Sequence, residues 1–408
     1  MAIGDVIVGI DIGASKSSLI VGEVNSFNQI EVICSTSTKS NGIQKGKIIN
    51  ESALAETIRK IVGDAEKEMD IKINSAYITM PGKYAKIIQN SVTKECKDKY
   101  SGISTRDVLT ALLAAKAVEI PEGSQIIDIV TNDFVLDDGK EVKNPVGSFA
   151  TSFTLDCQII LGDEDYLKIL RNVFKKANVE IDGYVPITLA EKNLMLEESE
   201  QKDSIMLLDI GAQHTDIGVF FGEKIVYTNS IDVGGDNITN DIAIVLGITI
   251  EEAEKLKKQY SLALRSYIDN DTEVVLITAK EGTNKVIKSS EIVEIIEARV
   301  EQIFDLINKD ITNQGIKSEI NTVILTGQGI LNISKSDMVG KIALNIPVKI
   351  STGKISGLIK PAYATAYGLV RYIAARPFSK NISSSVDKEK DESFFKQLIY
   401  KIKEFFYS

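Results

Sequence analysis

The feature that most constrains this chain is a pattern that occurs twice, half the chain apart. Val6–Val24 (VIVGIDIGASKSSLIVGEV) and Ile205–Ile225 (IMLLDIGAQHTDIGVFFGEKI) each pass from an apolar run into Asp-Ile-Gly-Ala, then polar residues, a second apolar run and Gly-Glu. The second copy carries two more residues between its Ala and its Gly-Glu. An apolar run broken by glycine and polar residues and then resumed predicts two buried strands joined by a glycine-built turn. Two such hairpins predict a duplicated α/β domain around a shared cleft.

The remaining signals fit that frame. At 408 residues the chain exceeds one compact core, so two or three domains are expected. A third glycine turn, Thr322–Gly329 (TVILTGQG), follows another apolar run, ending a strand and opening a helix. Ser104 to Asp107 reads as a capping box before VLTALLAAKAVEI, a helix stopped by Pro121, and Thr249 with Glu252 caps a second helix. SSEIVEIIEARVEQIFDLINKDI has apolar residues at helical spacing and predicts a long amphipathic helix. Residues 84–162 read as a self-contained α/β insertion, with a turn at Asp138-Gly139.

Composition excludes several classes. A net charge of −10 lacks the basic footprint of a nucleic-acid binder. Cys34, Cys96 and Cys157 are dispersed with no C-x-x-C pair, which argues against a zinc site or disulfide framework and for a reducing compartment. No run approaches the roughly 18 apolar residues of a membrane span, and no signal-peptide pattern opens the chain. The expectation is a cytoplasmic protein.

The turns also carry a chemical expectation. Backbone N–H groups leaving a strand, beside small residues, receive phosphate oxygens. Gly13, Ala14, Ser15 and Lys16 fit one phosphate end, with the Lys16 ammonium adding charge, and Gly211, Ala212, Gln213, His214 and Thr215 fit a clamp from the facing domain. Asp11 and Asp209 head the two turns, and a pair of carboxylates beside a polyphosphate suits a largely hydrated Mg²⁺. Gly327, Gln328 and Gly329 form a third wall for a flat adenosine. Gly234 and Gly235 precede a helix starting near Asp236, whose N-terminus would face the phosphates.

DIGASK (Asp11–Lys16), DIGAQHTD (Asp209–Asp216), DVGGDNITNDIA (Asp232–Ala243) and LTGQG (Leu325–Gly329) resemble the phosphate and adenosine motifs of the actin/Hsp70/sugar-kinase superfamily. Within it the chain is most similar to the FtsA family of bacterial cell-division proteins, through KNPVG (Lys143–Gly147), the capped helix before Ile120-Pro121, PAYATAYGL (Pro361–Leu369) and the C-terminal segment. The resemblance implies an actin/Hsp70-like fold of duplicated ribonuclease-H-like domains around a nucleotide cleft, with ATP and Mg²⁺ as cofactors. It implies subdomain 1A at 1–83, 163–202 and 358–378, the 1C insertion at 84–162, 2A at 203–236 and 320–357, and 2B at 237–319. Glu254 and Lys257 match an A-E-x-x-K pattern whose polar ends reach ribose and adenine. Arg299 matches an arginine near the surface that docks the tubulin-like FtsZ, with a local ion pair as the other reading. The implied partners are FtsZ, further copies of the chain in a filament, a lipid membrane and other division proteins.

Some residues depart from the pattern. Gln213 and His214 stand where the phosphate-2 turn usually has Gly and Thr, and Gln328 where Gly is common, so the site is expected to narrow or to change its affinity. His214, the sole histidine, reads as a solvated or hydrogen-bonded turn residue in preference to a general base. Val185, ahead of Pro186, occupies a position where relatives use a carboxylate or carboxamide to orient water; an apolar group cannot do so, which predicts at most weak ATP hydrolysis.

The chain closes on a polar stretch, 379–392, that reads as a linker, and then on 393–408. There Phe394, Phe395, Leu398, Ile399, Ile402, Phe405 and Phe406 share one helical face, with Lys396, Lys401 and Lys403 mainly off it. This suits an interfacial membrane helix at the cytoplasmic face of the cell membrane at the division site; packing on the core or against a partner are the alternatives. A pilus-assembly actin homologue, a small-molecule kinase and an Hsp70-like chaperone remain as other functional readings.

Overall fold

The computed structural model describes residues 6–25, 29–96, 102–277, 284–353 and 360–375. The linker at 379–392 and the apolar face from Phe394 to Phe406 lie outside these residues.

Both repeats are hairpins, and each seeds a sheet. Val6–Ile12 pairs antiparallel with Lys16–Val24, from Val6 opposite Glu23 to Ile12 opposite Ser17. Ile30–Lys39 extends the meander, and Ser75–Met80 joins the far side in parallel, followed by Glu180–Pro186. In the second half, Ser204–Ile210, Thr215–Phe221 and Lys224–Ile231 form the same meander, with Thr322–Thr326 and then Val348–Ile350 in parallel beyond it. The two five-stranded sheets thus share strand order and direction. Their central strands are near-continuous apolar runs, buried through Leu19, Ile20 and Val21 and through Met206, Leu207 and Leu208, because helices cover both faces.

Helix Ala364–Ala374 returns the end of the described chain to the first sheet, and small residues permit its close approach. A Cβ at Gly9 would lie 2.9 Å from Val370, and one at Gly368 would lie 2.7 Å from the carbonyl of Ala190 in helix Ile187–Met195.

The insertion is a separate antiparallel sheet in the order Ala85–Glu95, Ser152–Asp163, Ser124–Leu136, Glu141–Val142. Its own core gathers Ile103, Val108, Leu112, Phe134, Phe153 and Leu155. Ser104 and Asp107 form the expected capping box of helix Thr105–Ala115. The helix ends well short of Pro121, however. Proline restricts only the residue before it; here the Lys116 and Ala117 N–H groups turn back onto Leu113 and Ala114, and Asn90 Nδ2 donates to the Ala115 carbonyl at 2.9 Å.

In the second half, Thr249 and Glu252 cap helix Ile250–Gln259 as predicted, and helix Ser289–Asn313 buries Ile292, Ile296, Val300, Ile303, Ile307 and Ile311 along one stripe. The third glycine turn ends a strand but does not open a helix. Gly329 N–H donates to Ile210 O and Ser334 N–H to Ser261 O, so the segment is stitched to its neighbours and the next helix starts only at Ser336.

Phe304 is fully buried, and its ring lies flush on helix Ser336–Leu344, where a Cβ at Gly340 would come within 2.7 Å of it. Phe304→Ala is expected to destabilise the second half by about 3–5 kcal/mol. The readout is hydrogen-exchange protection in Ser204–Ile210 and Thr322–Thr326, and unchanged protection would show that this ring lies outside the cooperative core.

Candidate functional site

The turns of the two hairpins face each other across a cleft of about 450 Å³. Asp11, Gly13, Ala14, Ser15 and Lys16 line it from the first half. Asp209, Gly211, Ala212, His214, Gly235, Glu254, Lys257, Gly327, Gln328 and Gly329 line it from the second. Of the residues singled out in the sequence for the nucleotide, Gln213, Thr215 and Gly234 lie behind this lining.

The glycines make backbone-on-backbone contact possible. Gly327 has φ +99°, and a Cβ there would fall on Asp209 Oδ1 and the Ile210 carbonyl. A Cβ on Gly235 would meet Gly329 Cα at 2.7 Å, and one on Gly234 would meet Gly211 O at 2.5 Å. The helix at Gly235 differs from its expected use. Its first N–H groups, on Gly235 and Asp236, donate to Gly211 O at 2.9 Å and Ala212 O at 2.7 Å, so this N-terminus locks two turns together. Thr215 likewise donates its hydroxyl to Val233 O at 2.8 Å.

The half-buried carboxylates Asp11 and Asp209 dominate the electrostatics. Asp11 is held above the usual carboxylate range by burial, opposed by a 2.7 Å hydrogen bond from Thr79 Oγ1 and by the charge of Lys16. Burial, with Asp216 beside it, pushes Asp209 up to about 7. Lys16 is pulled down by burial while Asp11 pulls it up, and its ammonium donates to Ala362 O at 2.8 Å. Glu254 and Lys257 share a network in which Thr239 Oγ1 donates to Glu254 at 2.6 Å and Lys257 Nζ donates to Thr239 Oγ1 at 2.7 Å.

His214 and Gln213 have structural partners. Burial alone would lower the His214 pKa, but Asp216, whose Oδ2 lies 3.0 Å from Nε2, outweighs it and the net shift is upward. This is the held turn histidine, buried rather than solvated. Asp216 Oδ1 in turn accepts from Gly82 N–H of the first half at 2.8 Å. Gln213 points away from the cleft, accepting from Lys45 N–H of the first half at 3.1 Å and donating to Asp236 at 3.1 Å. Gln213 therefore bridges the halves and lies outside the cleft lining, whereas His214 and Gln328 are part of it.

The sequence reading missed Glu191. Val185 is 2% exposed and sits in the first-half core, off the cleft lining. The carboxylate this segment brings to the cleft is Glu191, five residues beyond Pro186, on the helix face it shares with Ile187 and Met195. A lone charge within an otherwise apolar i, i+4, i+8 stripe was the available signal.

The profile described as "Cell division protein FtsA" matches residues 206–368, and that of the "SHS2 domain inserted in FTSA" matches 82–161. The chain belongs to the FtsA family. Among relatives of that family, it is 29% identical over 376 residues to Cell division protein FtsA of Borreliella burgdorferi, covering 90% of this chain and 91% of the relative. The Bacillus subtilis protein is 28% identical over 372 residues, covering 90% and 82%. The fold is actin-like: it resembles MreB5 of Spiroplasma citri bound to ADP (TM-score 0.52, 14% identity, 94% and 99% covered) and a PilM–PilN type IV pilus biogenesis complex (TM-score 0.56, 14% identity, 89% and 97% covered). The FtsA-family insertion is the sheet built by Ala85–Asp163.

Arg299 lies away from the cleft, in a groove with Asp241, Val245, Ile295 and Gln302 beside the exposed Ile244. Its guanidinium pairs with both oxygens of Asp241, the Nη2–Oδ1 distance being 2.7 Å. The local ion pair is therefore formed. No described helix is long and apolar enough to cross a membrane.

A raised carboxyl pKa sets a pH dependence. From about pH 4, the unfolded carboxyl value, up to about 7, the folded chain keeps a proton on Asp209 that the unfolded chain has lost. Nucleotide-free stability should fall as pH rises across that window. Asp209→Asn should flatten part of the slope and raise the melting temperature at pH 7.5; an unchanged slope in thermal scans would contradict the assignment. Gly82→Val tests the seam between the halves, because a Cβ there would press on Thr228 Oγ1 and come 2.6 Å from Asn229 O. It should widen the cleft, seen as a larger radius of gyration in X-ray scattering.

Proposed function

We propose that this FtsA-family chain is an ATP-binding, actin-like division scaffold. In this reading ATP closes the two halves, the closed form polymerises, and the segment at 393–408 holds the polymer to the cytoplasmic face of the membrane at the division site. The second-half surface at 237–319 docks the tubulin-like FtsZ, and the insertion at 84–162 contacts neighbouring division proteins. The subdomain bounds given above go with this reading. Its main support is the cleft itself, where distant glycine turns meet around buried carboxylates in a fold whose relative MreB5 was solved with ADP.

The residues present fit a Mg²⁺-nucleotide. Burial disfavours the charge of both Asp11 and Asp209, and Asp216 and Asp11 add to the effect on Asp209; a bound divalent cation would relieve this while neutralising phosphate charge. Gly13 to Lys16 with Gly211, Ala212 and His214 would face the phosphates, and Gly327 to Gly329, with Glu254 and Lys257, would face the nucleoside. With Val185 enclosed in the core, it offers no polar group to orient an attacking water, so hydrolysis is proposed to be slow and ATP to act chiefly as a structural ligand. Arg299 would meet a carboxylate of the docked partner by sharing or exchanging Asp241.

Membrane attachment is proposed to be collective. Each large apolar side chain gives ~1.5–3 kcal/mol when fully buried, but interfacial burial is partial and the helix must be ordered. One copy attaches marginally, whereas a filament binds through effective concentration.

Gly327→Val would force a branched side chain onto a φ of +99° and into Asp209, and should reduce ATP affinity at least ~10-fold in calorimetry. Retained affinity would remove the third turn from the site. In vesicle co-sedimentation with ATP, truncation after Lys380 should abolish pelleting with lipid, and a polymerisation-defective variant should bind more weakly than the parent. Equal pelleting of the truncated and full chains would refute membrane attachment by the terminal segment.

A further inference from the structure

Glu191 lies on the floor of the cleft, 2% exposed, at a position that nothing above needed. Thr365 Oγ1 donates to its Oε1 at 2.7 Å, while Oε2 is buried without a hydrogen-bond partner among the described residues. Burial, then the charges of Asp209 and Asp11, holds its pKa well above the ordinary carboxylate range. An enclosed carboxylate facing two others, with one oxygen unsatisfied, costs folding free energy unless positive charge reaches it. The nearby ammonium of Lys16 is directed to Ala362 O. Among the described residues no three acidic, histidine or cysteine side chains form a ready metal cage. A cation meeting Glu191 must therefore bring other oxygens with it, as an ion carried by a polyphosphate does.

We propose that Glu191, oriented by Thr365, is a third carboxylate contact for the divalent cation carried by the nucleotide, making nucleotide binding strongly dependent on that cation. The inference rests on the nucleotide reading above. Without the ion, the carboxyl group of Glu191, whose charge burial disfavours, takes no part in holding the phosphates; with it, Glu191 stabilises the complex through the ion or its hydration shell. Replacing the carboxylate should therefore weaken binding only where the cation is present, which a purely structural residue would not do.

The test is calorimetric ATP binding by the full chain, in MgCl₂ and in EDTA, for the parent, Glu191→Gln and Thr365→Val. Glutamine keeps the acceptor for Thr365. Glu191→Gln should bind ATP in EDTA at least as tightly as the parent, and its gain in affinity on adding Mg²⁺ should be smaller by about tenfold. Thr365→Val, which leaves Glu191 in place and carries the test if the first variant misfolds, should reduce the gain by roughly two- to threefold. An unchanged gain in the folded variants, or equal weakening in both conditions, overturns this inference alone. Absence of binding by the parent in both conditions overturns the nucleotide reading and this inference with it.

Discussion

Three turns from distant parts of the chain are packed so closely that backbone touches backbone, and the cleft depends on this contact. Gly329 N–H bonds to Ile210 O, Gly235 N–H to Gly211 O, and Gly327 lies against the Asp209 carboxylate. They hold Asp209 in a cleft that it shares with Asp11, both half-buried, and with the buried Glu191, and desolvation is the main cause that raises the pKa of each. Such a cluster is destabilising without a counter-charge. The fold and the proposed affinity for a cation-bearing ligand therefore share one structural basis.

Beneath the cleft, the halves are joined by a seam of polar contacts. Asp216 holds Gly82 N–H and, at 3.0 Å, His214; Ser230 Oγ accepts from Lys83 N–H at 3.1 Å; Lys83 pairs with Asp232; Gln213 reaches Lys45. An apolar core is shared as well, with Ile205, Leu207, Phe220 and Ile225 of the second half packed among first-half residues. Gln213, one of the departures from the turn pattern, belongs to this seam, and His214 supports it through Asp216, whereas Gln328 lines the cleft.

The insertion and the last described helix are also joined. Tyr372 donates to Asp128 of the insertion at 2.8 Å, and the start of the same helix reaches the cleft through Ala364 and Thr365. One rigid element thus contacts both the cleft and the insertion. A change in cleft geometry has a direct mechanical route to the insertion.

The sequence alone determined the duplication, the sheet-forming hairpins, the caps at Ser104 and Thr249, the long helix and most of the cleft lining, because these follow from local periodicity and turn chemistry. Only the tertiary structure decided which way a turn's hydrogen bonds are directed. The N-terminus at Gly235 and the hydroxyl of Thr215 look like phosphate donors in isolation, yet they bond to neighbouring backbone, and Gln213 faces the seam. Glu191 escaped notice because no motif surrounds it; its proposed role arises from Asp11 and Asp209, which lie far from it in the chain and share its cleft only in the folded protein. Local pattern specifies which groups are present, whereas burial and nearby charge are properties of the assembled fold.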